Sequence, residues 1–317
     1  MRLILVLILF AHFCPRPMTT LRSGTAGALV PIQEYRFGFT TSSISLENIE
    51  HLLLNDAALG VHKASAKTPH CVVKPPAPED PQQCGPDLPE LAWEAKYPKG
   101  SINPSAPIPG GFSFYLSGPT SFADHLLAGA TEAVFSYRMM LSRDWEWVKG
   151  GKLPGVFGGA GELSYRCTGG RQNDRCRCFN IRPMWRENSL GEAYPYLPLT
   201  ANNEEQLLSV PPVSKKNADY GFSVGRGSFN LAAAVGSWVT IAIRIKMNDI
   251  GQENGELQLW MDGVSAISVS GLTLRDSAES HIKGMHFQTF FGGHTDDWAS
   301  PKDQFAWFAD VTGVIVR

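Results

Sequence analysis

Two lysines border a glycine-rich turn in the segment WEWVKGGKLPGVFGG, residues 145–159. Lys149 and Lys152 stand in a chain that has few charges, since only 18% of its residues are Asp, Glu, Lys or Arg. Glycine adopts backbone conformations closed to other residues and lets a large ligand approach the main chain. An amine in such a turn is either a solvated loop charge or a group that binds an anion or transfers a proton. The residues of this turn alone leave both interpretations open.

A second group of polar side chains lies in CFNIRPMWRENSLGEAYPYLP, residues 178–198. Its alternation predicts two strands joined through RENSLGEA as a hairpin. Asn180 and Arg182 then share one face with Tyr194 and Tyr196. A guanidinium can bind a carboxylate through two hydrogen bonds, and a phenol can donate a proton. Taken alone, an ordinary hairpin with packed or surface tyrosines explains the same pattern.

The rest of the chain after about residue 89 predicts short strands separated by turns. LAWEAKYPKGS and SWVTIAIRIKMND alternate apolar and polar residues, and Asp262-Gly263 in GELQLWMDGVSAISV indicates a type I′ hairpin. AVFSYRMMLS, MHFQTFF and FAWFADVTGVIV are further strand candidates, and SFADHLLAGA is a possible helix. This pattern predicts an all-β protein, a β-jelly-roll or curved antiparallel sandwich.

The residues before this region predict a leader and an irregular segment. MRLILVLILFAHFC has Arg2 before an apolar run that is typical of a signal-peptide core and too short to span a bilayer. An uncleaved anchor or a misplaced start codon is the alternative. SLENIEHLLLNDAALGV, residues 45–61, predicts a helix with Ser45 as N-cap, and a proline-rich stretch follows. We expect a signal peptide at 1–27, an irregular segment at 28–88 and one domain at 89–317.

Charge and cysteine content restrict the classes of partner. A net charge of −2 argues against nucleic-acid binding, which requires a concentrated basic surface. Outside the leader the cysteines are odd in number, so one thiol is free or pairs with another chain. Their spacing does not fit a zinc site, and disulfides are favoured. Cys71 with Cys84, and Cys167 with Cys178, would each close a short loop. The fifth cysteine is Cys176.

Several motifs in this order resemble those of polysaccharide lyase family 14. They are VKGGKLPG, C-x-G-G followed by C-F-x-x-R-x-M-W-R, G-E-x-Y-x-Y-L-P, GRGSF, ENGELQLWMDG, and FQTFFGG with WASPKDQFAWFAD. The resemblance covers about residues 89–317, and it is the set rather than any single motif that is specific. The family contains β-jelly-roll alginate and glucuronan lyases, many of them secreted fungal enzymes. The resemblance implies a secreted lyase, active as a monomer, that cleaves an acidic polysaccharide.

The resemblance also assigns roles to individual residues. It places an essential lysine at Lys152, an arginine at Arg182 and a tyrosine pair at Tyr194 and Tyr196, and it implies a Cys167–Cys178 disulfide. Asn180 stands where the family usually has serine, and asparagine keeps both a donor and an acceptor for substrate. Gln288 in HFQTFFGG and Arg226 in GRGSF are further candidates for substrate binding, each with structural hydrogen bonding as the alternative. We interpret His286 and His294 as structural or surface residues.

Uronan lyases act by β-elimination, which sets three chemical tasks. The substrate carboxylate must be neutralised, a base must remove the proton on C5, and an acid must protonate the leaving oxygen on C4. Arg182 suits the first task and Tyr194 or Tyr196 the last. Lys152 is either the base or a partner in neutralising the carboxylate, and a tyrosine could exchange roles with it. Lys152 suits the second if its pKa falls from about 10.4, and Lys149, Arg182 and burial beside Trp147 would each lower it. No metal is needed if arginine and lysine supply the positive charge, and Asp296 with Asp297 form too small a group for calcium.

Two other classes of protein compete with a lyase. A non-catalytic carbohydrate-binding sandwich would have the same strand pattern, and Asn180 in place of serine is the feature that favours it. A glycoside hydrolase needs two carboxylates facing one cleft, and Glu256 has no evident partner in the sequence. We therefore rank the hydrolase last.

Overall fold

Two nine-stranded sheets pack face to face in the computed structural model, which describes residues 24–217 and 221–317. The signal peptide predicted for residues 1–27 lies outside the described residues, apart from residues 24–27. In chain order the strands are β1 (Phe37–Thr40), β2 (Ile49–His51), β3 (Val61–His62), β4 (Cys71–Val73), β5 (Ala92–Tyr97), β6 (Phe112–Leu116), β7 (Glu132–Leu141), β8 (Gly150–Lys152), β9 (Gly155–Ala160), β10 (Cys178–Arg186), β11 (Leu190–Tyr196), β12 (Lys215–Asn217), β13 (Gly221–Asn230), β14 (Val239–Lys246), β15 (Gly255–Met261), β16 (Val264–Leu272), β17 (Ser280–Phe291) and β18 (Gln304–Ile315).

The first sheet has the order β16-β15-β14-β7-β18-β1-β2, and β5 pairs with both β18 and β4. The second has the order β12-β13-β11-β10-β8-β17-β6-β3, and β9 joins β10 to β17 beside β8. Strand pairing is antiparallel except between β1 and β2. The predicted all-β jelly-roll sandwich is confirmed. Three short helices accompany the sheets: α1 (Thr25–Leu29), α2 (Thr120–Leu127) and α3 (Ala201–Leu208). None of the helices in the described ranges is long and apolar enough to cross a membrane.

Several local predictions are confirmed, because each depends on residues that are close together in the sequence. Asp262 and Gly263 both have positive φ, 52° and 78°, and connect β15 to β16 as a type I′ turn requires. Trp93, Ala95 and Tyr97 of β5 are buried on one face. The possible helix in SFADHLLAGA is α2.

The helix predicted within residues 45–61 is wrong. Ile49–His51 is instead the extended strand β2, and the amide of Leu52 continues the pairing by donating to the carbonyl of Thr40. Leu54 is buried whereas Leu53 is 76% exposed, so the leucines alternate between inside and outside. Pairing with β1 and burial of alternate leucines override the local helical preference.

The predicted Cys71–Cys84 disulfide is also wrong, since both thiols are free and exposed. β4 fixes Cys71 against β5. The segment that contains Cys84 is held elsewhere, because Gln83 exchanges two hydrogen bonds with the backbone of Trp238, at 2.7 and 3.0 Å. The two cysteines are therefore anchored to different parts of the first sheet.

Gly151 in the lysine-containing turn faces the core rather than the open side of the sheet. A Cβ at this position would collide with the indole of Trp185 and the carbonyl oxygen of Phe290. Trp185 itself is 1% exposed and packs against Trp145 and Phe291. Gly151 therefore serves core packing, and close approach of a polymer does not explain it.

We predict that Gly151→Ala destabilises the protein by about 1–3 kcal/mol, because the added methyl group must displace Trp185 from a filled core. The measurement is urea unfolding followed by tryptophan fluorescence. Gly292→Ala is the matched control, since its Cβ would come no closer than 3.4 Å to any atom. Equal unfolding midpoints for the two variants would contradict this account of the turn.

Candidate active site

The alternation of β10 divides its side chains between two environments. Phe179, Ile181 and Trp185 enter the core between the sheets. Asn180 and Arg182 point to the opposite face of the second sheet, because successive side chains of a strand alternate. In the pairing of β10 with β11, Arg182 lies directly opposite Tyr194, and Asn180 opposite Tyr196. The hairpin predicted for residues 178–198 is confirmed.

Two more strands bring further candidates to this outer face. Lys152 of β8 pairs with Met184 of β10 on one side and with Phe290 of β17 on the other. The alternation of β17 sends His286 and Gln288 to the same face as Phe290. The outer face therefore unites Lys152, Arg182, Tyr194, Tyr196, Asn180 and Gln288 from four separate segments of the chain.

The Lys152 amine lies against the aromatic pair. Its Nζ is 3.3 Å from the ring centroid of Tyr194 and 5.5 Å from that of Tyr196. The side chain is buried, and Nζ has no hydrogen-bond partner in the protein. Burial lowers the pKa of Lys152 well below its usual 10.5, and the charges of Arg182 and Arg186 lower it further against an opposing effect of Glu192.

Lys149 does not contribute to lowering the pKa of Lys152, contrary to the prediction. Its amine pairs with the carboxylate of Asp297 at the surface and lies 5.9 Å from the ring of Trp298. Arg186 instead supplies the positive charge near Lys152 that the sequence suggested for Lys149. Its guanidinium lies 5.9 Å from the Tyr194 ring. Of the two lysines that border the glycines, only Lys152 belongs to the cluster.

Arg182 is held in place by the side-chain amide of Gln288. Its Nη1 donates to Oε1 of Gln288, whose Nε2 donates to Ser113 Oγ at 3.0 Å. Arg182 is buried, and its Nε has no partner. Burial lowers the pKa of Arg182, an effect that Tyr196 and Tyr115 oppose. No carboxylate of the described chain forms an ion pair with Lys152 or Arg182, so the described residues provide no counter-charge for either side chain.

Asn180 and His286 form a neutral pair beside these cations. Asn180 Nδ2 lies 2.8 Å from His286 Nδ1, and Asn180 Oδ1 has no partner. The imidazole stacks on Tyr115 with a centroid separation of 4.2 Å. Burial and the charge of Arg182 hold the pKa of His286 well below 6.5. A neutral imidazole accepts the Asn180 amide hydrogen, which leaves the Asn180 carbonyl oxygen buried without a hydrogen-bond partner in the protein.

His286, interpreted from the sequence as structural or a surface residue, is a buried partner of Asn180. Its contact with Asn180 was not predicted. The available signal was its spacing, because it lies two residues before Gln288 and so shares its face of the strand.

Arg226 forms an ion pair with a carboxylate of the protein, that of Glu192. Glu192 is fully buried and accepts hydrogen bonds from Arg186 at 2.6 and 2.8 Å, from Arg226 at 2.8 Å and from Ser223 at 2.5 Å. Burial alone would raise the pKa of Glu192, but Arg186, Ser223 and Arg226 hold it below its usual value. Glu192 thus positions both arginines at the edge of the cluster.

A loop of residues 161–177 closes one end of the outer face. It begins with a 3₁₀ turn, Gly161–Tyr165, whose tyrosine packs edge-on against Tyr115. The Cys167–Cys178 disulfide ties the loop to the start of β10, as expected, and Cys176 is a free, exposed thiol. Arg175 near the end of the loop lies with Cζ 4.9 Å from the Tyr196 ring centroid.

The described residues contain no group of three or more His, Cys, Asp or Glu side chains positioned to hold a metal ion. Asp297 is occupied by Lys149 and by Thr295, which donates to it at 2.5 Å.

The family whose profile is described as polysaccharide lyase 14 matches residues 87–311. The chain belongs to polysaccharide lyase family 14. A crystal structure of the marine PL-14 alginate lyase from Aplysia kurodai shares 28% identity, with a TM-score of 0.61 over 71% of this chain and 83% of that chain. Alginate lyase vAL-1 from Chlorella virus shares 21% identity, with a TM-score of 0.59 over 81% and 93%.

Alginate lyase Aly36B shares 18% identity, with a TM-score of 0.51 over 71% of this chain and 81% of that chain. The likenesses to vAL-1 and Aly36B show the same fold. A comparison with curated proteins gives no match.

The region matched to polysaccharide lyase family 14 contains the whole cluster. Residues 87–311 include every predicted site residue and both cysteines of the disulfide. β1 to β4 precede this region. β3 and β4 pair with β6 and β5 inside it, whereas β1 pairs with residues 312–315 of β18, just beyond its end. The enzyme is a polysaccharide lyase whose candidate active site is built by the second sheet.

A first prediction concerns the cost of burying Lys152. Its folded pKa lies below the unfolded value of about 10.4, so between the two values the unfolded chain binds more protons. The free energy of unfolding therefore rises with pH across that window, and the whole cost applies below the folded pKa. Lys152→Met should raise Tm at pH 7 by about 2–5 °C, measured by calorimetry. Exposed Lys149→Met is the control, and a Tm at or below wild type in Lys152→Met would contradict the account.

A second prediction concerns Glu192. Glu192→Gln leaves two arginines without their carboxylate and should cost about 3–5 kcal/mol of unfolding free energy at pH 7. Because the pKa of Glu192 is lowered in the folded state, its contribution is present above the unfolded pKa and is lost as pH falls through the folded pKa. The difference in unfolding free energy between Glu192→Gln and wild type should therefore become smaller at acid pH.

Urea unfolding at several pH values measures this difference. Glu256→Gln is the matched control, since that carboxylate also binds two cations, Arg244 and Lys246, but at a partly exposed position. It should cost less than about 1 kcal/mol. A loss for Glu192→Gln no greater than that of the control would show that Glu192 does not organise the arginines.

Proposed function

We propose that this polysaccharide lyase is secreted and cleaves an acidic polyuronide by β-elimination, with Lys152 as base, Arg182 as carboxylate-binding group and the tyrosine pair as proton donor. The observation that carries this proposal is the buried Lys152 amine, unpaired and in contact with Tyr194 beside Arg182. Such an arrangement is unfavourable for a protein that only needs to be stable, and it suits proton transfer to a neutral amine.

The Arg182–Gln288 pair is suited to the substrate carboxylate. The guanidinium has an unpartnered Nε, and Gln288 is half-buried, so this part of the cluster is open to a ligand. A planar guanidinium binds a carboxylate through two parallel hydrogen bonds. Neutralising that carboxylate acidifies the adjacent C5–H bond, because it stabilises the negative charge that develops when the proton leaves. We expect Asn180 Oδ1, which has no partner in the protein, to accept a hydrogen bond from a sugar hydroxyl.

The elimination then needs one base and one acid. Neutral Lys152 takes the proton from C5, the electrons of that bond form the C4–C5 double bond, and the C4–oxygen bond breaks. A tyrosine of the pair gives its proton to the leaving oxygen. The lowered pKa of Lys152 keeps the amine unprotonated at lower pH than an exposed lysine. The ammonium formed lies against the faces of Tyr194 and Tyr196, which stabilise a cation.

Alginate is the first substrate to test, because the relative from Aplysia kurodai is an alginate lyase with 28% identity. Glucuronan is the second, as the motif resemblance implies. Secretion is supported by the apolar leader MRLILVLILFAHFC and by the Cys167–Cys178 disulfide, which persists in oxidising compartments. We expect a monomer.

We predict that Lys152→Ala lowers kcat/KM by roughly 100- to 10,000-fold, since it removes the base. Tyr194→Phe and Tyr196→Phe remove one hydroxyl each, and the variant with the larger fall in kcat identifies the proton donor. The measurement is the ultraviolet absorbance of the unsaturated product from alginate and glucuronan over a range of pH. Wild-type kcat/KM should rise with pH through the folded pKa of Lys152 and level off below the range of an exposed lysine.

Lys149→Ala is the matched control, because it removes an exposed lysine three residues away and should retain most activity. Unchanged activity in Lys152→Ala would overturn the assignment of the base. Binding of the polymer by wild type without any unsaturated product would instead support the carbohydrate-binding alternative.

A further inference from the structure

We propose that Arg175 binds the carboxylate of the sugar next to the one that reacts, so that the enzyme requires two consecutive uronates. This inference rests on the proposed function and adds a second anion-binding position to it. Arg175 lies outside the motifs that identified the family, in the loop of residues 161–177 that the Cys167–Cys178 disulfide attaches to β10.

The position of Arg175 is fixed by its loop and by the tyrosine pair. Its Nη2 donates to the carbonyl oxygen of Arg171 in the same loop. Its Cζ lies 4.9 Å from the ring centroid of Tyr196, while both disulfide cysteines pack against the two tyrosines. Only 4% of Arg175 is exposed. The guanidinium therefore points into the candidate active site rather than into solvent.

The charge of Arg175 has no anionic partner in the described part of the chain. Its Nε is buried and makes no hydrogen bond in the protein. Arg166 and Arg177 of the same loop differ, since Arg166 pairs with Asp174 and Arg177 with Glu279. An unpaired buried guanidinium is costly. A carboxylate brought by the substrate would supply the missing charge and hydrogen bonds.

Two guanidinium groups lie beside the same tyrosine. Arg182 of the neighbouring strand β10 interacts with Tyr196, and Arg175 of the loop lies over its ring. Every unit of a polyuronide carries one carboxylate, so a chain bound with one carboxylate at Arg182 brings others to neighbouring positions. The site thus has a cation for the reacting unit and another for a neighbour.

The experiment varies the substrate and the enzyme together. Chemical reduction of a random share of the carboxyl groups gives a polymer in which the altered units are neutral and cannot eliminate. If wild type needs two adjacent acids, its kcat/KM should fall to about a quarter when half of the units are reduced, whereas Arg175→Ala should fall only to about half of its own initial value. On the intact polymer, Arg175→Ala should raise KM about tenfold or more with a smaller change in kcat.

Arg171→Ala is the matched control, because it removes one exposed arginine side chain from the same loop and should behave as wild type on both polymers. Arg175→Lys should recover part of the affinity, and Arg175→Gln replaces the alanine variant if the latter fails to fold. Equal dependence on carboxyl reduction in wild type and Arg175→Ala, or equal KM in Arg175→Ala and Arg171→Ala, would overturn the proposal. Failure of the proposed function is a separate result, since wild type would then yield no unsaturated product.

Discussion

The burial of the Lys152 amine beside Arg182, without an anion for either, is the constraint on which the rest of this site depends. Two like charges removed from water repel each other and lose hydration, so the free energy of this face favours loss of the lysine proton. A strand of a well-packed sandwich can hold such a pair because Lys152 cannot turn away without breaking the register of β8 between β10 and β17. The lowered pKa of the Lys152 amine is thus a product of sheet geometry.

Glu192 compensates the charges of the other arginines beside this pair. It is the buried carboxylate of the cluster, and it binds Arg186 and Arg226 rather than Lys152 or Arg182. Arg186 therefore stays close enough to depress the pKa of Lys152 while its own charge is compensated. A carboxylate placed one strand closer would pair with the lysine and raise its pKa instead. The division into compensated and uncompensated cations separates the groups that support the site from those that are free to meet substrate.

The sequence predicted the hairpin of β10 and β11 correctly because a period of two fixes which side chains share a face. It did not predict that Arg186 replaces Lys149 near Lys152, since that depends on the crossing of strands distant in the chain. The contact of His286 with Asn180 and the position of Arg175 were not predicted for a similar reason: the first depends on the pairing of β17 with its neighbours, and the second on the path of a loop. The helix predicted within residues 45–61 was wrong because a run of leucines fits both the helical and the strand period. Only the pairing with β1 decides between the two.

The accessibility of the cluster indicates how a polymer reaches it. Lys152, Arg182, Tyr194 and Tyr196 are each less than a tenth exposed, whereas Gln288 and Phe290 on β17 are half-buried. The loop of residues 161–177 closes the side of the tyrosines, so the open approach lies along β17. Under the proposed function, a polyanion entering there would meet the Gln288–Arg182 pair first, and the pair would orient a carboxylate before the sugar reaches the amine. Because that carboxylate would also compensate the buried charge of Arg182, substrate binding would relieve part of the cost of burying that charge.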